Sequence, residues 1–199
     1  GDLALVGRPL KGHIMAARPG HAANVAFAKK IKEQIKKDKT RKKIKVYDPN
    51  MPALYDTVEI MKILPHRQPM LMVDKILELT ETHVEGLKNV TMNEDFFMGN
   101  FPGAPLFPGV LQVEAMAQTG GILVLKTVPD PENWLTLFLK IENARFKAQV
   151  TPGDSVIFRC DLMEPIRRGI AKMKGVAMVG EKIVCEAELM AQIVRVNNN

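Results

Sequence analysis

The stretch 110–126 constrains the fold more than any other part of the chain. Pro108 and Gly109 mark its start and Pro129 lies beyond its end, a pattern typical of the boundaries of a helix. Its apolar residues follow helical spacing, and the remaining face also carries little charge. A helix that is apolar on nearly all sides has to be buried. The sequence therefore predicts one long helix in the centre of the fold.

The segments around this helix predict an antiparallel sheet. Apolar and polar residues alternate in runs that are separated by short connections containing turn residues. The predicted strands cover residues 71–79, 83–90, 135–146, 154–164, 170–179 and 182–194. A short helix at 58–64, stopped by Pro65, precedes them. One buried helix against such a sheet is an α+β layer architecture, in which the sheet must curl around the helix to cover it.

Charge is concentrated in one segment. Between Lys29 and Lys45 there are ten basic residues against two acidic ones, whereas the rest of the chain holds 18 basic and 20 acidic side chains. We interpret this segment as a solvated linker or helix end. Contact with an acidic partner protein is the alternative. Nucleic-acid binding is disfavoured because no aromatic residue is interleaved with the lysines.

Composition excludes several further classes. The chain has 199 residues, 46% of them hydrophobic and 25% charged, which argues against a wholly disordered chain or a coiled coil. Cys160 and Cys185 do not form a CxxC motif, which excludes a disulfide scaffold or a cysteine-based zinc module and favours a reducing compartment. No uncharged apolar run reaches 18 residues, so no membrane span is expected. Because the chain opens with Gly1, we expect the numbering to begin within a longer protein.

Glu114 is the chemically unusual residue of the predicted helix. An acid among apolar neighbours is either a tuned acid at a pocket or a carboxylate that hydrogen-bonds a loop. Gly120 and Gly121 within a helix suggest close backbone approach or a channel. The preceding loop, GNFPGAPLFPG, presents Asn100 and ends at Gly109. The amide of Gly109 is expected to be a free donor that can hold a carbonyl oxygen, although an ordinary capping loop gives the same spacing.

Three motifs carry a family resemblance: ILPHRQPMLMVDKI, NVTMNEDFFMGNFPGAPLFPGVLQVEAMAQTGGIL and ARFKAQVTPGD. Together they closely resemble the Z-type 3-hydroxyacyl-[acyl-carrier-protein] dehydratases of bacterial fatty-acid synthesis, over about residues 55–196. The resemblance implies a hot-dog fold, assembled as dimers and commonly as a hexamer made of three dimers. It also implies a cytoplasmic enzyme that removes water from a (3R)-hydroxyacyl chain held as a thioester on acyl carrier protein. The product is the trans-2-enoyl thioester.

The resemblance also implies a catalytic pair contributed by two subunits. The family's glutamate matches Glu114, but its histidine position is occupied by Asn100. An imidazole suits removal of the C2 proton at neutral pH, whereas a carboxamide does not titrate usefully. We therefore expect an impaired dehydratase in which Asn100 mimics the Nδ1 side of imidazole, either as a deliberate substitution or in a naturally silent carrier-binding homologue. A hot-dog thioesterase is the alternative enzyme.

The remaining site predictions concern the acyl tunnel and its mouth. The predicted tunnel lining is Phe97, Phe101, Phe107, Leu111 and Phe138. The predicted contacts with the acidic carrier are Arg145, Lys147, Arg167, Arg168 and Lys172, although a solvated strand edge explains them equally well. His66 and His83 are the two candidates for a substitute base. His66 is expected to pack or hydrogen-bond near a sheet edge, and His83 to be exposed in a turn.

The first 32 residues read GDLALVGRPLKGHIMAARPGHAANVAFAKKIK. This segment resembles a second family, the C-terminal end of the zinc-dependent UDP-3-O-acyl-N-acetylglucosamine deacetylases of lipid A synthesis. His21 matches that family's catalytic histidine, and Asp2 matches either a zinc ligand or a catalytic aspartate. The histidine ligands belong upstream, so this chain is expected to bind no zinc and no other cofactor. The predicted organisation is a deacetylase remnant at 1–32, a basic linker at 33–54 and the dehydratase domain at 55–199. Such a fusion would link lipid A and fatty-acid synthesis.

Overall fold

The computed structural model describes residues 2–7, 15, 20–40 and 47–196, with side chains described for all of these except 34–40. The chain divides into two compact units, Gly1–Lys45 and Val46–Asn199. Among the described residues, no helix has both the length and the apolar character required to cross a bilayer.

The leading unit contains a short 3-10 helix, Asp2–Val6, and helix α1, His21–Thr40. Helix α1 runs through the boundary predicted at residue 32, so the start of the predicted linker is helical. Residues 41–46, which complete the basic segment, lie outside the described residues. The three-part domain division stays a prediction.

The second unit begins with helix α2, Thr57–Ile63, within one residue of the predicted 58–64. Asp56 accepts a hydrogen bond from the Glu59 amide at 2.9 Å, and the Glu59 carboxylate accepts one from the Asp56 amide at 2.9 Å. This reciprocal capping box fixes the start of the helix. At the other end Leu64 is extended, as the residue before a proline prefers to be.

Six strands form one antiparallel sheet. In chain order they are β1 (Lys75–Leu79), β2 (His83–Asn89), β3 (Trp134–Phe146), β4 (Ser155–Leu162), β5 (Ile170–Val179) and β6 (Lys182–Arg195). Their order across the sheet is β1-β2-β4-β5-β6-β3, and every neighbouring pair is antiparallel. The prediction of six antiparallel strands is confirmed. Strand β1 starts later than predicted, because residues 71–73 are buried but make no strand pairing.

Helix α3, Gly109–Leu125, packs against strands of the whole sheet from β2 to β3. Residues 115–116 and 118–125 are buried without interruption, and the sheet wraps around the helix in the expected hot-dog fold. One part of the prediction is wrong: Val110, placed on the buried helical pattern, is 72% exposed. It belongs to the first helical turn, where the burial that begins at Gln112 has not yet set in.

Glycine brings the helix and the sheet unusually close together. A Cβ on Gly86 of β2 would lie 2.6 Å from the Thr119 hydroxyl, and one on Gly175 of β5 would lie 2.1 Å from the Met116 sulfur. On the helix, a Cβ on Gly120 would lie 2.6 Å from the sulfur of Met173. The close approach predicted for Gly120 is confirmed.

We expect Gly86→Ala to destabilise the fold by about 1–3 kcal/mol, because Thr119 is stiff within a helix and cannot turn away from the added methyl. In a Thr119→Ala background the same change should cost at least about 1 kcal/mol less. Gly99→Ala is the matched control, since nothing lies within 4 Å of its added Cβ and its φ is −117°. Denaturant unfolding measures all variants, and an equal cost of Gly86→Ala in both backgrounds would contradict the close-packing explanation.

Candidate active site

Glu114 borders a cavity of about 200 Å³ on one face of α3. Glu114, Ala117, Gln118 and Gly121 supply the helix wall, and they recur at helical spacing. The rest of the lining comes from the turn after α2 and from β3 and β6: Leu64, His66, Thr136, Leu137, Phe138 and Ala191. Gly121 thus forms part of a cavity wall, as expected if free space beside the helix is the reason for the glycine. The cavity is mostly apolar with one carboxylate.

Gln118 fixes the Glu114 side chain. Its Nε2 donates to Glu114 Oε1 at 2.8 Å and to the carbonyl of Met70 at 2.7 Å. Its Oε1 accepts from the amide of Met72 at 2.8 Å. The Gln118 amide is therefore fully occupied and links Glu114 to the backbone of residues 70–72. Sequence reasoning missed Gln118, although a polar pair four residues apart on an apolar helix is a usable signal.

His66 lies in the same cavity. Its Nε2 is 3.5 Å from Glu114 Oε1, a close contact rather than a well-formed hydrogen bond. Its side chain is 28% exposed. The prediction that His66 packs or hydrogen-bonds near a sheet edge did not include this position, in which the ring borders the Glu114 carboxylate. Proximity across 48 positions of sequence could not be read from local pattern.

The prediction that His83 is simply exposed in a turn is wrong. It is the first residue of β2 and pairs with Asp161 of β4, whose carboxylate lies 2.8 Å from His83 Nδ1. Its side chain is 22% exposed and its Nε2 lies 3.5 Å from Glu85. His83 therefore belongs to a charged cluster on the sheet, away from the cavity residues.

Asn100 is held by the loop that precedes α3. Its Nδ2 donates to the carbonyl of Leu106 at 2.8 Å, and its own carbonyl accepts from the Leu106 amide at 2.9 Å. Its backbone amide donates to the Phe96 carbonyl at 2.9 Å. Asn100 does not line the Glu114 cavity within the described part of one chain. Whether the two residues share a site built from two subunits stays a prediction.

Gly109 is the first residue of α3, and no acceptor among the described residues is bonded to its amide. The ring of Phe146 covers its α-carbon, since an added Cβ would come within 2.8 Å of that ring. The amide is thus an available donor at a helix start. Its role in holding a thioester oxygen stays a prediction.

The predicted tunnel residues separate into three environments. Phe97 and Phe107 are core residues, 2% and 1% exposed, and the Phe107 ring stacks on Phe96. Phe101 is 56% exposed and Leu111 is half-buried. Phe138 lines the Glu114 cavity. One chain therefore brings only Phe138 of this set to the cavity.

The predicted basic contacts also differ from one another. Glu186 lies 2.7 Å from Lys147 and 3.9 Å from Arg145, and the Lys147 hydrogen bond holds the pKa of the Glu186 carboxyl below its usual value. Arg167 and Arg168 are exposed beside β5, and Lys172 is half-buried within that strand. Carrier binding through any of the five stays a prediction.

In the leading unit, the two predicted deacetylase residues meet. His21 Nδ1 lies 2.9 Å from Asp2 Oδ1, and Asn24 donates to the other carboxylate oxygen at 3.1 Å. The hydrogen bond from Asn24, followed by the charge and hydrogen bond of His21, holds the pKa of Asp2 below its usual value. The geometry is that of an aspartate orienting an imidazole.

Other chemistry finds little support among the described residues. Glu78, His83 and Glu85 are the one group there with three metal-ligating atoms close together, and Arg159 already forms an ion pair with Glu85 at 2.7 Å. Burial raises the pKa of the Cys160 thiol to about 12 and that of Cys185 to about 11. Thiols with such values are not activated nucleophiles.

Comparison with known proteins agrees with this geometry. A family model described as "FabA-like domain" matches residues 64–188. The bifunctional enzyme LpxC/FabZ of Bacteroides thetaiotaomicron is 51% identical over 195 residues, which are 98% of this chain and 42% of the relative. The 3-hydroxyacyl-[acyl-carrier-protein] dehydratase FabZ of Hydrogenobaculum sp. is 51% identical over 138 residues, 68% of this chain and 93% of the relative.

Among solved structures, the dehydratase heterocomplex ApeI:P from Xenorhabdus doucetiae has a TM-score of 0.59 at 19% identity and covers 70% of this chain and 91% of its own. That likeness shows the fold. The second unit is therefore a hot-dog domain of the FabA-like type. Within that class, the chain belongs to the family of the FabZ dehydratases. It spans about 42% of the length of the bifunctional LpxC/FabZ relatives.

Proposed function

We propose that this chain is the dehydratase part of a bifunctional enzyme and acts on (3R)-hydroxyacyl-acyl carrier protein. In the reaction a base removes a proton from C2, an acid protonates the C3 hydroxyl, and water leaves as the C2–C3 double bond forms. The observation that carries the proposal is Glu114, an anchored carboxylate at the wall of a largely apolar cavity. Burial of an alkyl chain there is worth about 0.8 kcal/mol per methylene.

Asn100 limits the reaction because it has no titrating group. Its Nδ2 donates to the Leu106 carbonyl, which is the bond that the Nδ1–H of a histidine would make at the same place. A histidine held in that way keeps its Nε2 lone pair free to act as a base. The hydrogen bond supports the interpretation that Asn100 preserves the loop while removing the base.

The β3 edge supports a dimer with shared sites. Strand β3 is 13 residues long and ends the sheet, yet it exposes large apolar side chains: Leu137, Phe138, Leu139, Ile141 and Phe146. A long apolar edge strand left open is a template for pairing with another chain. Two of these side chains, Leu137 and Phe138, line the Glu114 cavity. A second copy on this edge would cover the cavity and bring its own residues to it, and three such dimers would make the hexamer.

The wider setting extends the proposal. Acyl carrier protein is the proposed partner, approaching the basic residues near the tunnel mouth. The leading unit is proposed to be the end of a deacetylase whose zinc is held by residues upstream, so that the full-length protein would also serve lipid A synthesis. The proposed location is the cytoplasm, with both buried cysteines reduced. No cofactor is needed for the dehydration itself.

Two other functions remain to be separated by experiment. A silent carrier-binding homologue would need the cavity but not Glu114, whose anchoring by Gln118 favours an enzyme. A thioesterase would release a free hydroxy acid and no enoyl product. Ultraviolet absorbance of the enoyl thioester, together with mass spectrometry of the carrier, separates these outcomes.

We expect Asn100→His to raise dehydration, and the reverse hydration, by at least about 100-fold, the lower end of the effect of a positioned base. The loop should keep its shape because the imidazole can donate to the Leu106 carbonyl. Enoyl formation from a 3-hydroxyacyl carrier measures the gain, with Asn100→Gln as the matched amide control. A folded Asn100→His variant with no gain would contradict the proposed role of position 100.

We expect the chain to assemble as a hexamer built from dimers. Leu139→Glu should weaken this assembly because it places a charge in the middle of the apolar β3 edge. Leu139 is 50% exposed. Met163→Glu is the matched control, a residue 47% exposed that lies outside β3. Light scattering measures the mass of each variant. A stable monomer for the unsubstituted chain would rule out the shared site.

Mixed dimers test the shared site directly. A partner chain carrying both Asn100→His and Glu114→Gln lacks the acid, whereas the unsubstituted chain lacks the base. Each alone should be nearly inactive, but a mixed dimer has one site with the introduced histidine facing an intact Glu114. Coexpression with two affinity tags should recover up to about half of the activity of the Asn100→His dimer, by counting sites. If verified mixed dimers stay inactive while Asn100→His alone is active, both groups come from one subunit.

A further inference from the structure

His66 and Glu114 are the two titratable residues among those that line the cavity in the described part of the chain. The Glu114 carboxylate receives the Gln118 amide on Oε1, and His66 Nε2 faces the same oxygen at 3.5 Å. No hydrogen bond among the described residues reaches the other oxygen, Oε2. Two nitrogen atoms are thus directed at one carboxylate oxygen, which leaves the second oxygen available to a substrate.

The surroundings of the imidazole fix which of its nitrogens carries the proton. His66 Nδ1 is buried and has no hydrogen-bond partner among the described residues. A proton there would be a buried donor without an acceptor, at a cost of about 1–3 kcal/mol. In the neutral ring the proton therefore lies on Nε2, where it faces Glu114. The Nε2–H of His66 is therefore placed to donate to Glu114 when the 3.5 Å separation shortens.

The backbone that carries His66 is held in place by its neighbour. Arg67 donates to three carbonyls of the segment that ends α2, those of Met61, Leu64 and His66, at 2.9, 2.9 and 2.7 Å. One guanidinium thus satisfies acceptors that the end of a helix leaves unpaired. This fixes the position of His66 beside the cavity rather than leaving its orientation to a flexible loop.

From this geometry, and on the basis of the proposed dehydration, we infer that His66 is a positioning residue for Glu114. As Glu114 gives its proton to the leaving hydroxyl, negative charge develops on the carboxylate, and the His66 Nε2–H closes on Oε1 to stabilise it. For that hydrogen bond to form, the 3.5 Å separation of the two atoms has to shorten by about 0.5 Å. The proton of His66 stays on the imidazole throughout, so the proton that forms water is the one from Glu114. Donors directed at developing charge accelerate a reaction without strengthening substrate binding.

The test uses the Asn100→His chain, in which the reaction is measurable. His66→Leu should lower kcat at least about 10-fold while KM changes less than about twofold. The alkaline half-maximum of the pH profile of kcat should move upward, because the carboxylate form of the acid loses a hydrogen-bond donor. His66→Gln, which keeps an N–H donor, should recover most of kcat and of the pH profile. His83→Leu is the matched control, a histidine paired with carboxylates outside the cavity, and should leave kcat unchanged.

The outcomes separate this inference from the proposed function. If Asn100→His itself is inactive, the proposed function fails. If it is active and folded His66→Leu keeps kcat and the pH profile, or if His66→Gln is as impaired as His66→Leu, the positioning role of His66 is wrong. Thermal melts establish folding, and His66→Met, which also lacks a donor, replaces His66→Leu if that variant melts below the assay temperature.

Discussion

The close approach of α3 to the sheet is the constraint on which the rest of the structure depends. At Gly86, Gly120 and Gly175 an added Cβ would come within 2.6 Å of a side-chain atom of the opposite layer. The helix can lie this deep because it is apolar on almost every side and needs no solvent. Close contacts fill the space between the helix and strands β2 and β5 at Gly86 and Gly175, whereas the cavity lies where Glu114, Ala117 and Gly121 of the helix face β3 and β6. The position of the reactive carboxylate follows from that packing.

A carboxylate beside a mostly apolar cavity is stable only if the polar groups around it have their hydrogen-bond partners. Gln118 satisfies this requirement, because its side-chain carbonyl accepts one hydrogen bond and its NH₂ group donates two within the fold. Through it, the segment between α2 and β1 is tied to the helix, while Arg67 ties the start of the same segment to α2. A stretch without regular secondary structure is thereby hydrogen-bonded to helices at both of its ends.

Local pattern was enough to predict the elements but not the contacts between distant segments. The central helix was predicted within one residue at each end, because its proline and glycine boundaries are local signals. Residues 71–73 were predicted as strand because their apolar composition indicates burial. In the structure the backbone amide of Met72 donates instead to the side chain of Gln118, 46 positions away. The partner of His83 lies 78 positions away, so its charged cluster could not be foreseen. Glu114 was identified because a charge in an apolar helix is a local anomaly, whereas the signal for Gln118, its spacing of four residues from Glu114, is weaker because an amide carries no charge.

The hydrogen bond from the Asn100 side chain to the Leu106 carbonyl determines what a stability measurement can show about position 100. An amide and an imidazole present the same N–H to that carbonyl, so the loop is indifferent to whether the residue can take up a proton. Thermal stability would therefore report the hydrogen bond that holds the loop and not the ability of the residue to take up a proton. Under the proposed function, a chain with the amide would release its hydroxyacyl carrier unreacted, which makes it suitable for imaging the enzyme–substrate complex that precedes the reaction.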